Sequence, residues 1–265
     1  MKGFVLSGIV LSWVFLASSL DATAGDRVKS SDLTTSCNIV GFVNKPTNSH
    51  VFAGCCYESI GGGPISLEEL LGDQLSPGPD GDKVAIWDVL RQNYTIYMKE
   101  RDGRFYSTNR DIHDPVDVRV PAGTALWLIR KNPDSVISLN GQVTIRDAIT
   151  NSLVGATNYP VNMICYPYNV NVSVQDFLNA SHGAQVSDDP AKADKLTLWN
   201  ARGLPDVQLG LKGDGKWHDL LGWTTNAPST RVIEMGEGVC FQASRPIMWV
   251  VKCTPLARQN IPELR

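Results

Sequence analysis

Histidines are the side chains of this 265-residue chain that could act in acid–base catalysis or bind zinc, and there are four of them: His50, His113, His182 and His218. No two of them have the His-x-x-His or His-Glu-x-x-His spacing that places two zinc ligands on one helix face. No Gly-x-Ser-x-Gly turn marks a hydrolase nucleophile. The sequence therefore predicts no catalytic residue, no cofactor site and no metal ligand, and each histidine is expected at the surface or in a loop.

Acidic turns are the second group with possible chemistry, because calcium prefers oxygen ligands in loops. One turn contains Asp80 and Asp82, and another contains Asp188, Asp189 and Asp194. Neither fits the Asp-x-Asp-x-Asp-Gly pattern of a calcium loop. Asp82 and Asp194 are expected to cap a turn or to pair with the lysine that follows each of them. Calcium binding stays an open alternative.

Tryptophan rings could stack on sugars, because they combine a flat apolar face with a polar N–H group. Trp223 and Trp249 are the candidate ligand-binding residues, since they have no counterpart in the first part of the chain. Trp87, Trp199 and Trp217 belong to a repeated pattern, which favours a core position. Packing in a core or an interface is the alternative for Trp223 and Trp249.

Six cysteines, in a chain whose first 24 residues have the pattern of a signal peptide, favour disulfides over metal or redox roles. Cys240 and Cys253 lie at similar distances from Pro246, so a hairpin there predicts a disulfide across two strands. A second predicted pair joins Cys37 to Cys55 or to Cys56.

Residues 1–24 have the pattern of a signal peptide. Lys2 provides the positive charge, Phe4–Leu20 the apolar stretch, and Ala22–Ala24 a small-x-small cleavage site. The mature chain is expected to be secreted, periplasmic or on the cell surface, with an uncleaved membrane anchor as the alternative. No later segment is apolar enough to predict a membrane span.

Charge argues against a nucleic-acid partner. The chain has 24 Lys and Arg against 27 Asp and Glu, a net charge of −3, and no cluster of basic residues. An extracellular polysaccharide or an envelope protein is the expected kind of partner.

Five blocks of sequence recur in the same order at an offset of about 110 residues, the size of one domain. This pattern predicts two homologous domains, residues 37–143 and 152–255, joined by residues 144–151. The matched blocks are Ile39–Pro46 with Leu153–Pro160, Ser66–Leu71 with Ser173–Leu178, Asp82–Asp88 with Asp194–Asn200, Asp102–Phe105 with Asp214–Trp217, and Gly123 and Pro133 with Gly236 and Pro246.

Each repeat contains mostly strand patterns and one short helix. Ser66 and Ser173 are predicted helix N-caps, and the Asp-Gly pairs that begin at Asp102 and Asp214 predict hairpin turns. The fold class predicted is all-β with minor helix, each repeat forming a β-sandwich or a small β-barrel.

These motifs resemble a β-rich secreted domain found in exported proteins of Planctomycetes–Verrucomicrobia–Lentisphaerae type bacteria. The resemblance rests on Ala193–Lys195, Trp199, Asp214–Trp217 and Gly236–Phe241, and the first repeat departs from it at Phe105 and Ala125. That domain often occurs in tandem and usually has no assigned activity. The resemblance implies an exported location and no chemistry.

The function expected from the sequence is that of an exported, non-catalytic structural or interaction protein. The repeated features are turns, helix caps, tryptophans and glycines, which serve the framework. A carbohydrate-binding module is the alternative, and a secreted hydrolase is the third.

Overall fold

A computed structural model describes residues 40–45, 50–108, 114–131, 136–144, 146–199, 205–224 and 227–253. The predicted signal segment, Cys37 and His113 lie outside these ranges. Strands dominate the described residues, which confirms the all-β prediction. Among these residues, no helix is long and apolar enough to cross a bilayer.

The first half of the fold, residues 40–144, contains ten strands and one helix. Ser66 begins the helix as predicted: its side chain accepts the Glu69 N–H, and the Glu69 carboxylate accepts the Ser66 N–H. Gly103, at a φ of 84°, makes the turn of the predicted hairpin. The elements are β1 (Val40–Lys45), β2 (His50–Cys55), β3 (Tyr57–Glu58), β4 (Ile65–Ser66), α1 (Leu67–Leu71), β5 (Lys83–Asp88), β6 (Asn93–Lys99), β7 (Phe105–Ser107), β8 (Arg119–Val120), β9 (Thr124–Ile129) and β10 (Ile137–Val143).

The second half, residues 146–253, repeats this order without a counterpart of β3. Ser173 caps its helix by accepting the Asp176 N–H, and Gly215 turns its hairpin at a φ of 78°. A short 3-10 turn, Ala180–His182, follows the helix. The elements are β11 (Ala148–Leu153), β12 (Val161–Cys165), β13 (Val172–Ser173), α2 (Val174–Phe177), β14 (Lys195–Trp199), β15 (Pro205–Leu211), β16 (Trp217–Asp219), β17 (Val232–Ile233), β18 (Gly238–Gln242) and β19 (Ile247–Lys252).

The strands of the two halves pair in the same scheme. Five strands of the first half lie in the order β7-β6-β5-β9-β2, and five of the second half lie in the order β16-β15-β14-β18-β12, all antiparallel. Outside these sheets, β1 pairs with β10 and β11 with β19, while β4 pairs with β8 and β13 with β17. Every pairing in the second half therefore has a matching one in the first.

The two five-stranded sheets meet at their β2 and β12 edges. One residue pair joins β12 to β9, so that the strands form a single ten-stranded sheet. The Gly54 N–H donates to the Gly236 carbonyl at 2.8 Å, and the Cys165 N–H donates to the Gly123 carbonyl at 2.9 Å. Gly54 and Cys165 hold equivalent positions in β2 and β12, so the two bonds form a matched pair.

Each half buries an apolar core of its own on one face of this sheet. In the first half, Val84 of β5 and Leu126 of β9 pack with the α1 leucines. In the second half, Phe177 of α2 packs with Trp217 and Trp249. Separate cores follow from the repeated alternation of the strands, whose inward positions are apolar in both halves.

The first pair of matched sequence blocks, Ile39–Pro46 and Leu153–Pro160, does not have the same secondary structure in the two halves. Val40–Lys45 forms β1, whereas Val154–Tyr159, its counterpart by sequence, is a loop with a turn. By pairing, the counterpart of β1 is β11, which lies partly in the predicted linker 144–151. A short stretch of similar residues therefore misplaced the register at this point.

The hairpin predicted between Cys240 and Cys253 is not formed, which corrects the sequence-based expectation. The strand β18 that contains Cys240 pairs with β12 and β14, whereas β19 pairs with β11. The chain turns a corner after Gln242 and leaves the sheet instead of reversing beside it. No disulfide is formed among the five cysteines that the structure describes, Cys55 included.

Candidate functional site

Two buried aspartates come directly before the matched strands β5 and β14. Asp82 and Asp194 lie at 1% and 0% exposure. Each carboxylate accepts two backbone N–H bonds of 2.7–2.9 Å: Ser76 and Lys131 donate to Asp82, and Gln185 and Ser244 donate to Asp194. They fasten loops, as the turn-capping prediction requires. In the parts of the chain that are described, no group of three His, Cys, Asp or Glu side chains could hold a metal ion.

His218 was expected at the surface, but the structure buries it. Its Nε2 lies 2.9 Å from Oδ2 of Asp214, and its ring packs edge-on against Trp223 at 6.4 Å. In the first half, Tyr106 holds the same place and donates to Asp102 at 2.7 Å. A tyrosine in the equivalent position indicates that the His218 pair supports the hairpin.

The surroundings of the Asp214 carboxylate lower its pKa. Burial raises its pKa, but the Lys216 N–H and His218 hydrogen bonds lower it, and the pKa ends below its usual value. The pKa of Asp102 is also lowered, first by the Arg104 N–H and then by Tyr106. Both aspartates are therefore held ionised as hairpin acceptors.

The other two described histidines lie apart. His50 is exposed on β2, on the other half of the molecule from His182. His182 is half-buried, and its Nδ1 accepts the Asn179 N–H at 3.3 Å. Burial lowers the pKa of His182. The described histidines thus do not converge on one site.

Trp223 and Trp249, the predicted ligand-binding residues, both pack inside the second half. Trp249 is fully buried and donates its indole N–H to the Phe177 carbonyl at 3.1 Å. Trp223 is 8% exposed and donates to the Asp188 carbonyl at 2.7 Å. Its ring occupies space that Gly210 leaves open. Neither ring offers an open face, so packing accounts for both.

A different set of rings lies on the face of the ten-stranded sheet that is turned away from the cores. Because strand side chains alternate, Trp127 lies opposite Leu126 and Leu128, which enter the core. We call the set the aromatic face: Phe52, Trp87, Tyr94, Trp127 and Trp199. Phe52 is buried at its centre, and the other four are partly exposed.

Rings from both halves contact each other in the aromatic face. Phe52 stacks on Trp127 with centroids 4.7 Å apart, and Trp199 meets Trp127 edge-to-face at 5.1 Å. Trp87 meets Tyr94 edge-to-face at 4.8 Å. Such contacts hold the rings in fixed orientations across the junction between the halves.

The polar ends of these rings are bonded within the protein. Trp127 donates to the Tyr94 hydroxyl at 3.2 Å, Trp87 to the Val161 carbonyl at 2.7 Å, and Trp199 to the Cys240 sulfur at 3.3 Å. Burial raises the pKa of the Cys240 thiol to about 11. What the face presents outward is therefore ring surface.

Sequence reasoning missed the aromatic face. Trp127 lies in an apolar run that looks like a strand buried on both sides, and Trp87 and Trp199 recur in the repeat as core residues would. The available signal was alternation: Ala125 and Trp127 share one face of β9, with Leu126 and Leu128 on the other.

A groove of about 680 Å³ lies wholly in the second half. Met248 and Val250 of β19 reach into it and are 62% and 37% exposed. One wall is β19 itself, and the opposite wall is formed by the segment around Val170–Ser173 together with Asp176 and His182. We call it the β19 groove.

Comparisons with known proteins add no relative to this picture. No protein-family model, no curated protein and no solved structure matches the chain.

Proposed function

We propose that this chain is an exported, non-catalytic interaction protein whose recognition surface is the aromatic face. The observation that carries the proposal is the placement of Trp87, Tyr94, Trp127 and Trp199 on the sheet face opposite the cores, partly exposed. Large rigid aromatic rings give much contact area for little lost conformational entropy, which suits binding.

Duplication of one β-unit is part of the proposal. The matched strand pairings, the two aspartate clamps at Asp82 and Asp194, and the reciprocal bonds of Gly54 and Cys165 support it. Four rings of the aromatic face belong to the first unit, and Trp199 of the second unit extends the face through its edge-to-face contact with Trp127. Duplication thus enlarged a surface that lies mainly on the first unit. Export rests on the signal-like residues 1–24.

Carbohydrate is the second candidate for the ligand, and the partly exposed indoles favour it. Sugar rings stack on flat aromatic surfaces and need nearby polar groups for their hydroxyls. Gln242 and Lys195 are neighbours across β18 and β14 and lie on the same side of the sheet as Cys240 beneath Trp199. They supply a polar border to the rings.

The test uses the exported chain, residues 25–265, on a glycan array and as bait in the medium into which it is secreted. If the aromatic face binds the ligand, Trp127→Ala lowers the affinity for the partner at least tenfold, whereas Trp223→Phe leaves that affinity unchanged. A glycan hit lost in Trp127→Ala supports the carbohydrate reading. A protein partner lost in the same variant supports the interaction reading. Partners that bind both variants equally, or a measured hydrolytic turnover, would refute the proposal.

A further inference from the structure

The outer edge of β10, in the first half, is covered by the chain itself. The Gln74 side-chain amide donates to the Ser138 carbonyl at 2.8 Å, and the Ser138 N–H donates back to the Gln74 oxygen at 2.7 Å. Further along the same edge, β3 pairs antiparallel with β10, setting Glu58 opposite Gln142. The Gln74 side-chain amide and the β3 backbone thus bind the backbone groups at the two ends of this edge.

The equivalent edge in the second half faces the β19 groove. Both β10 and β19 begin their pairing with an isoleucine, so that Met248 takes the place of Ser138, and Lys252 that of Gln142. Among the described residues, no strand pairs with this edge of β19. Met248 and Lys252 instead line the groove.

Loop length explains the difference between the halves. Eight residues separate Tyr57 from the helix cap Ser66, and they include Glu58, the second residue of β3, and the glycine run Gly61–Gly63. Only four residues separate Tyr168 from the equivalent cap, Ser173. The shorter loop cannot form a covering strand. The glycine run, which matches no phosphate-binding motif, thus serves to fold β3 back on β10, and the Gly61 N–H donates to Gln142 at 2.9 Å.

The backbone groups of β19 are oriented for an added strand. The Cys253 N–H donates to the Asp147 carbonyl at 2.8 Å, on the β11 side. Because bonding direction alternates along an antiparallel strand, Met248, Val250 and Lys252 direct their N–H and C=O groups to the groove. An edge strand with unpaired groups is a template for another strand.

We propose that the β19 groove binds an extended peptide segment of another protein by strand addition, independently of the aromatic face. The covering strand of the first half defines the peptide: it is antiparallel and carries Glu58 opposite Gln142, with Arg146 at 3.2 Å from that carboxylate. The peptide therefore places an acidic residue opposite Lys252. Alternate apolar residues follow opposite Val250 and Met248.

The test is a titration of the exported chain with the synthetic peptide acetyl-Thr-Glu-Thr-Val-Thr-Leu-Thr-amide, followed by NMR amide exchange and fluorescence anisotropy. Binding is expected to slow exchange of the Met248, Val250 and Lys252 amides. Methylation of the peptide's Val nitrogen is expected to weaken binding more than tenfold, because that N–H faces β19. Methylation of the Thr nitrogen next to it, which faces away, leaves the affinity within about threefold. Replacement of Glu by Lys weakens binding several-fold.

Two variants of the protein test the same site from the other side, since both are expected to abolish peptide binding. Val250→Pro removes an outward N–H while keeping the β11 ladder, as proline on an edge strand permits, and it abolishes binding. Replacement of Asn169–Val172 by Glu58–Ile65 closes the groove and has the same effect, with folding checked by circular dichroism.

Equal binding of the two methylated peptides, or protection of amides away from β19, overturns the proposal. So does a dimer of the free chain that Val250→Pro dissolves while no peptide binds, since a second copy is then the occupant.

Discussion

At the scale of single residues, Asp82 and Asp194 carry the clearest structural role. A buried carboxylate is costly unless hydrogen bonds compensate it. Each accepts one backbone N–H group from the loop just before its strand and one from a loop about 50 residues later, so each ties a strand start to two loops. Their removal leaves those donors without an acceptor.

Asp82→Ala is expected to lower the free energy of unfolding by about 2–4 kcal/mol, since two backbone N–H groups lose the buried carboxylate that accepts them. Asp80→Ala, an exposed change two residues earlier, is expected to stay within about 0.5 kcal/mol. Urea denaturation at neutral pH measures both. Equal effects of the two substitutions would show that the Asp82 hydrogen bonds do not stabilise the fold.

The Asp214 carboxylate makes a pH-dependent contribution. Its folded pKa is depressed, so its stabilising effect is present above the unfolded pKa and is lost as pH falls through the folded pKa. The difference in unfolding free energy between wild type and Asp214→Asn is therefore expected to shrink as pH falls from about 5 to about 2. Denaturation curves at several pH values measure it. A difference that grows toward acid would contradict the lowered pKa.

At the scale of elements, the sequence was sufficient to predict helix caps and tight turns, but it did not predict which strands pair. Ser66 and Ser173 cap their helices as predicted, and both Asp-Gly turns form hairpins. These features depend on residues three or four positions apart. The prediction of a hairpin between Cys240 and Cys253 was wrong. The strand that pairs with β19 is β11, about a hundred residues earlier in the chain, and no local pattern indicates a pairing over that distance.

Thiol reactivity tests this correction. At pH 8, Cys240 is expected to react slowly with iodoacetamide in the folded protein, because burial raises its pKa to about 11 and only the thiolate attacks. After unfolding in denaturant, the same cysteine is labelled quickly. Peptide mapping without reductant measures the pairing. A linked Cys240–Cys253 peptide would show that the predicted hairpin exists after all.

At the scale of the whole molecule, the junction between the halves was invisible in the sequence. Gly54 looks like any strand glycine, but a Cβ atom there would lie 2.3 Å from Cβ of Cys165 and 2.8 Å from the Glu237 carbonyl. Only glycine allows β2 and β12 to approach this closely. The partner surface belongs to the other half, so no local pattern marks it.

Gly54→Ala is expected to destabilise the protein by about 1–3 kcal/mol, because the added methyl group forces the halves apart. Cys165→Gly, combined with it, removes one of the two obstructing groups and is expected to recover part of the loss. Thermal unfolding of the two single variants and the double variant measures the coupling. Additive effects would mean that the two positions do not oppose each other.

The aromatic face is the central claim at this scale, since it joins both halves and carries the proposed function. Hydroxyl-radical footprinting of the folded chain, with each tryptophan quantified by mass spectrometry, tests it without a ligand. The account predicts that Trp87, Trp127 and Trp199 are oxidised several times faster than Trp217 and Trp249, which are fully buried. Equal protection of all five, or faster oxidation of Trp249, would contradict it.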